Sequence, residues 1–167
     1  MQLDPKTALT IAQEYIGTTL PLTRLGWGVN GIVYLSPDGR SAVKVHHEKE
    51  GFTRETEVYK RLWRLRISQL HGIVIPRLRG YRSDLKVIRM DFVIPPFLLD
   101  FAGARFTPPD FSAETMEMWH TQLADLFGPN VHFVYAVYHS LIRHGIYYMD
   151  FRPSNLKLDN LPGLELP

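Results

Sequence analysis

Eight residues constrain this chain more than any others. Gly26-Trp27-Gly28-Val29-Asn30-Gly31-Ile32-Val33 follows the pattern G-x-G-x-x-G-x-V. Glycines at this spacing let backbone N–H groups approach phosphate oxygens, because no Cβ intervenes. What comes next decides the architecture. A dinucleotide-binding turn needs a helix to open at the third glycine. Here Ile32-Val33-Tyr34-Leu35 reads as a strand, so that architecture is excluded and a glycine-rich hairpin is left. Ser36-Pro37-Asp38-Gly39 is a strong turn signal, and Ser41-Ala42-Val43-Lys44-Val45 resumes the extended run, which makes an antiparallel pair.

The flanking segments read as a mixture of helix and strand. Apolar residues at helical spacing predict a helix over Thr7–Ile16 with Gly17 as its stop. A second helix is expected over Phe52–Leu65, with Phe52, Tyr59, Leu62 and Trp63 on one side. Extended runs follow at Arg77–Tyr81 and Leu85–Val93, joined at Arg82-Ser83-Asp84. Pro95-Pro96 is the expected boundary between two lobes, residues 1–94 and 95–167. Beyond it, helices are predicted over Ala113–Phe127 and Val131–His144, the second closed by Gly145 in a left-handed turn.

Composition narrows the chemistry by exclusion. A chain of 167 residues, 45% hydrophobic, can bury a core without staples. It has no cysteine, which removes disulfides, thiolate metal sites and a thiol nucleophile. No apolar run approaches the ~18 residues that span a bilayer, and Met1-Gln2-Leu3-Asp4-Pro5-Lys6 has no secretory pattern, so a cytoplasmic location is expected. The net charge of +2 hides a split: Arg54–Arg89 carries ten Lys/Arg against three acids, and Asp91–Asp125 six acids against Arg105. Such a split fits a nucleic-acid-facing half or a solvated helix face beside an acidic neighbour. Aromatics do not pair densely with the basic run, so nucleic acid is not the expected partner.

Two groups of residues can carry chemistry. Lys44 lies thirteen residues after Gly31 in the next strand, where an ammonium would project towards phosphates held under the glycine turn. Glu55 or Glu57, on the first turns of the following helix, could hold that ammonium in place. Taken singly, Lys44 reads equally well as an edge lysine and each glutamate as a surface acid. Near the C-terminus, Asp150 and Asn155 straddle the Pro153 turn. The carboxylate could accept a proton from an attacking hydroxyl, the amide oxygen could bind Mg²⁺, and Arg152 between them could neutralise phosphoryl charge. The plainer alternative is a helix–turn–strand connection in which both side chains bond backbone groups.

Taken in order along residues 20–158, these features resemble the protein-kinase-like superfamily. The resemblance rests on the glycine turn at 26–33, the Ala42-Val43-Lys44 strand, the acidic helix, the hinge-like Met90-Asp91-Phe92-Val93 and the match at 148–155. It implies an α+β fold, with a small antiparallel-sheet N-lobe carrying one main helix and a reduced, mostly helical C-lobe. It also implies ATP and Mg²⁺ as cofactors. Gly26, Gly28 and Gly31 would cover the phosphates, Val33 and Ala42 would pack on the adenine, and backbone groups of Asp91 and Val93 would bond its edge. Lys44, oriented by Glu55 with Glu57 second, would contact the α/β-phosphates. Asp150 would act as the base, Arg152 would assist at the γ-phosphate, and Asn155 would bind metal.

The sequence also departs from that pattern. Tyr148-Met149 replace the family's His-Arg, so a phosphorylated activation loop has no expected partner, and Lys157 stands where the family has an apolar floor under the adenine. The family's second metal aspartate, in Asp-Phe-Gly about a dozen residues beyond the asparagine, has no match there; Asp159 is too close for a normal match, though it is the only nearby acid with a claim to substitute. The expected function is therefore ATP-dependent phosphotransfer to a hydroxyl, with a protein Ser/Thr as acceptor, by a kinase-like chain cut short. The alternative is a reduced relative, a pseudokinase that binds nucleotide or acts as a scaffold without turnover.

Overall fold

A computed structural model describes residues 2–165. Met1, Leu166 and Pro167, at the ends of the two expected lobes, lie outside them. The chain opens with α1 (Pro5–Ile16), longer by two residues than its periodicity predicts because Asp4 caps it. The Asp4 carboxylate accepts from the Thr7 N–H at 3.1 Å, Pro5 occupies a first-turn position without an N–H to satisfy, and Gly17 ends the helix at φ 74°. Three strands follow, β1 (Thr23–Trp27), β2 (Gly31–Leu35) and β3 (Ser41–His46), and then α2 (Lys49–Arg64).

Two-residue strands β4 (Gln69–Leu70) and β5 (Ile73–Val74) precede β6 (Leu78–Arg82) and β7 (Val87–Asp91). The larger sheet is wholly antiparallel, in the order β1-β2-β3-β7-β6. Alternation along β3 divides its side chains between the two faces. Val43 and Val45 pack with Ala8 and Ala12 of α1, whereas Ala42 joins the core under α2 and puts Lys44 on that same face. Lys44 stands opposite Val33 on β2 and Ile88 on β7. The buried stripe of α2 runs through Phe52, Glu55, Tyr59 and Leu62; Trp63, expected on that side, lies on its margin and is 57% exposed.

After β7 the chain passes through a cis Pro95-Pro96 bond into β8 (Phe97–Leu98) and a 3-10 turn at Phe101–Gly103. Then come α3 (Ala113–Phe127), capped by Ser112, α4 (Val131–Arg143), and the terminal strand β9 (Leu156–Lys157). Gly145 takes the expected left-handed turn at φ 69°. A second sheet, in the order β4-β5-β8-β9, joins residues from both sides of Pro95. Its central strands pair in parallel, and β8 runs antiparallel to β9. One core extends from α2 through Phe101 and Tyr148 to Trp119, Val137 and Leu141, so helices and sheet form the α+β architecture that the sequence predicts.

Candidate functional site

The glycine turn, β3, the segment after β7 and the 150–155 turn enclose a cavity of about 780 Å³, a size suited to a small molecule. Twelve of the residues nominated from the sequence line it: the three glycines, Val33, Ala42, Lys44, Glu55, Asp91, Val93, Asp150, Arg152 and Asn155. Glu57, the second choice for Lys44, instead pairs with Lys60 at 2.8 Å on the surface. Asp159, the other acid considered, is exposed and does not line the cavity. Lys157 does line it.

The three glycines differ in what they require. A Cβ on Gly31 would collide with the Val45 carbonyl oxygen across the β2–β3 pair, so glycine there is a demand of the sheet. A Cβ on Gly26 or Gly28 would meet no atom within 4 Å. At those two positions the open space belongs to the cavity. The turn is anchored from behind by His47. Its backbone N–H donates to the Asn30 carbonyl at 3.1 Å, and its Nε2 donates to the Gly28 carbonyl at 3.0 Å, a role fixed because Nδ1 accepts from the Leu3 N–H.

Lys44 is buried with two carboxylates. Its Nζ lies 2.6 Å from Glu55 Oε2 and 2.8 Å from Asp100 Oδ1. Burial alone would lower the Lys44 pKa, but the Glu55 and Asp100 charges outweigh it and hold the ammonium above its ordinary value. Burial likewise pushes Asp100 up, while Lys44, Asn30 and the Ala102 N–H favour the ionised form, and the net direction is down. The Asn30 amide donates to both Asp100 oxygens, at 3.1 and 3.3 Å, and so ties the glycine turn across the cavity. His46 Nε2 approaches Glu55 Oε2 at 2.7 Å, and Glu55 Oε1 is buried without a partner.

The opposite wall is the 150–155 turn. Buried Tyr148 organises it: its hydroxyl donates to the Asp150 carbonyl at 2.8 Å and accepts from the Asn155 amide at 3.2 Å. Burial, with Asp100 and Asp150 nearby, pushes the Tyr148 phenol well above its ordinary pKa, so it stays a neutral donor. Trp119 Nε1 on α3 donates to the Met149 carbonyl at 2.9 Å, and Phe151 packs edge-on to Tyr148 at 4.9 Å. Asp150 Oδ1 accepts from Arg152 Nε, and Asp150 Oδ2 lies 3.3 Å from the Asn155 amide nitrogen. The arrangement can set a carboxylate and an amide oxygen opposite a buried ammonium, under a turn of open glycines.

Asp100, Asn30, His46 and His47 are site residues that the sequence reading did not single out. Asp100-Phe101-Ala102-Gly103 carries one signal, an Asp-Phe-x-Gly order. It stands upstream of the 148–155 match rather than downstream, where such an order was sought. The basic run of Arg54–Arg89 is engaged within the chain at several points: Arg54 donates to the Ala102 carbonyl, Arg61 to the Gly145 carbonyl, Arg79 pairs with Asp91, and Arg82 with Glu14 and Asp84.

No family model matches the sequence, and no curated protein matches it. Among solved structures the chain is similar to a streptomycin–ATP–APH(2'')-IIa ternary complex, at 19% identity and a TM-score of 0.37 over 76% of this chain. It is similar also to a gentamicin–APH(2'')-IIa complex (18%, TM-score 0.40, 76% of this chain) and to ADP-bound aminoglycoside phosphotransferase APH(2'')-Ib (19%, TM-score 0.38, 75% of this chain). This chain spans 36% of the length of each. A likeness at that level assigns nothing to individual residues.

Proposed function

We propose that the cavity binds ATP and that the chain carries an ATP-dependent phosphotransferase site of kinase type. The observation that carries this reading is the Lys44–Glu55 pair, which lies beneath a glycine turn and faces Asp150 and Asn155 across one cavity. Adenine would lie between Val33 and Ala42 above and the Asp91–Val93 segment beside them. The open faces of Gly26 and Gly28 would admit phosphate oxygens, and Lys44 would offset their charge. Asp150 would accept the proton of an acceptor hydroxyl, with Arg152 holding that carboxylate and standing near the transferring group.

The donor set suits Mg²⁺. Asn155 spends its amide N–H groups on Tyr148 and Asp150, which leaves Oδ1, close only to Ser154 Oγ at 3.2 Å, as a hard oxygen donor. Among the described residues no three His, Cys, Asp or Glu side chains group as a metal site. Asn155 Oδ1 is the protein oxygen that would hold the cation on the nucleotide phosphates. Bound Mg²⁺ would supply charge neutralisation on the phosphates.

The proposed acceptor is a protein Ser or Thr hydroxyl, and the proposed location is the cytoplasm, checked by fractionation. Among the described residues no helix is long and apolar enough to cross a membrane. The deciding assay follows transfer of labelled γ-phosphate to a Ser/Thr peptide library and, in parallel, to gentamicin, for the wild type and Asp150→Ala. Labelling of neither acceptor, together with a nucleotide-induced rise in melting temperature, would favour the second reading, a nucleotide-binding module without turnover. That reading draws support from Lys44 being engaged by two carboxylates at once.

A further inference from the structure

We propose that Asp100 is the carboxylate that shares a divalent cation with Asn155 on the phosphates of the bound nucleotide. The stretch leaving the hinge-like segment then delivers a metal ligand ahead of the Asp150–Asn155 turn in chain order. The proposal rests on the reading of the cavity as an ATP site and assigns a part of it that the sequence leaves empty.

Strand pairing brings the two residues together. Phe97 and Leu98 on β8 stand opposite Lys157 and Leu156 on β9, and the Leu99 N–H donates to the Asn155 carbonyl at 2.8 Å. Asp100 is the next residue, so it leaves the strand pair beside Asn155. Its backbone is left-handed, at φ 61° and ψ 67°, and this turns the carboxylate back to Lys44. Phe101 fixes that turn from the core: it is fully buried, edge-on to Tyr59 of α2 and Tyr148 of the opposite wall, each at 5.3 Å. Gly103 comes so close to Asp150 that a Cβ added there would lie 3.9 Å from the Asp150 Cβ. Asp100 is thus held between the ammonium and the two residues of the 150–155 turn that carry the proposed chemistry.

A second observation is the charge balance around Lys44. Glu55 lines the same cavity, and its Oε1 is buried without a hydrogen-bond donor although Lys44 and His46 both crowd onto Oε2. Glu55 and Asp100 share the one lysine, so two carboxylates stand against a single ammonium. Nucleotide phosphates entering beside that pair of carboxylates would meet net negative charge, which a divalent cation between them would offset, and the oxygens of Asp100 and Asn155 are of the hard type that Mg²⁺ and Mn²⁺ take. The same cation would compete with the Asn30 amide for Asp100. Metal–nucleotide binding would then release the glycine turn from its tie and let it settle on the phosphates.

The test measures melting temperature with ADP or ATP, with and without Mg²⁺, and Mn²⁺ affinity in the presence of ADP by electron paramagnetic resonance. It uses the full chain and its Asp100→Asn and Asp159→Asn variants. Asparagine tolerates a left-handed backbone and keeps an oxygen for Lys44. In the expected result Asp100→Asn keeps the metal-free nucleotide shift, loses the further rise given by Mg²⁺, and binds Mn²⁺ at least about tenfold more weakly, while Asp159→Asn behaves as wild type. An Asp100→Asn protein with an intact Mg²⁺ increment overturns the proposal and leaves the nucleotide site standing, as does a wild-type shift indifferent to metal. A wild type that no nucleotide shifts under either condition overturns the nucleotide reading and this proposal with it. A measurement on the wild type removes dependence on the variants. Substoichiometric Mn²⁺ with ADP should broaden the amide resonances of residues 99–102 and 155 before that of Asp159, and the reverse order sinks the assignment.

Discussion

Lys44 Nζ and His46 Nε2 converge on one oxygen of Glu55, at 2.6 and 2.7 Å, while the other oxygen of that carboxylate has no partner in the core. Two residues of one strand therefore hold the helix that covers them through a single atom. Removing one partner of a buried charged pair costs about 3–5 kcal/mol. Glu55→Ala should lower the unfolding free energy by that order and the midpoint by roughly 6–20 °C. Chemical denaturation checks it, and a loss below about 1 kcal/mol would place the pair with ordinary surface contacts.

The two kinds of glycine separate folding from binding. Gly31→Ala forces a Cβ into the Val45 carbonyl and should destabilise by about 1–3 kcal/mol. Gly28→Ala meets no protein atom, so its melting temperature should match the wild type while its ATP-induced shift shrinks. Equal effects of the two variants on the ligand-free protein would contradict the geometry.

Catalysis and binding should part at Asp150 and Lys44. Asp150→Ala is expected to reduce phosphotransfer by about 10²–10⁴-fold and to leave the nucleotide-induced shift in place. Lys44→Met should abolish that shift, since it removes the positive charge proposed to face the phosphates. Unchanged transfer in Asp150→Ala counts against its role as base.

The pH dependence follows from signs. The Asp100 pKa is held below its ordinary value, so its contribution to stability is present above about pH 4 and is lost as pH falls through the lowered folded value. Lys44 is held above its ordinary value, and burial raises Tyr59 and Tyr148 well above theirs. Their contributions are present below about pH 10 and fade as pH rises beyond it, because the unfolded chain ionises first. Stability should therefore fall at both extremes, with Asp100→Asn flattening the acid side and Tyr148→Phe the alkaline side. An acid limb identical in Asp100→Asn and wild type would remove Asp100 from the account.

How much of this was legible depends on the range of the forces involved. The hairpin, the helices at 113–127 and 131–143 and the left-handed Gly145 follow from turn chemistry, caps and apolar spacing, all local properties of neighbouring residues. The order glycine turn, lysine, glutamate, aspartate, asparagine could be read for the same reason, since each member sits in a recognisable local setting. Trp63 was misplaced because helical spacing gives a face but not where the covering sheet ends.

Asp100 lies at the other limit. Its place beside Lys44 and Asn155 depends on β8, two residues long, pairing with β9 nearly sixty residues later. No local pattern encodes that pairing, because a two-residue strand has no periodicity to read and its register is set by the cores on either side. The sequence alone determined which local elements form and which of their residues could do chemistry. The tertiary structure decided which of those residues share one cavity, and it added Asp100 and Asn30, because burial and strand register between distant segments are properties of the packed chain.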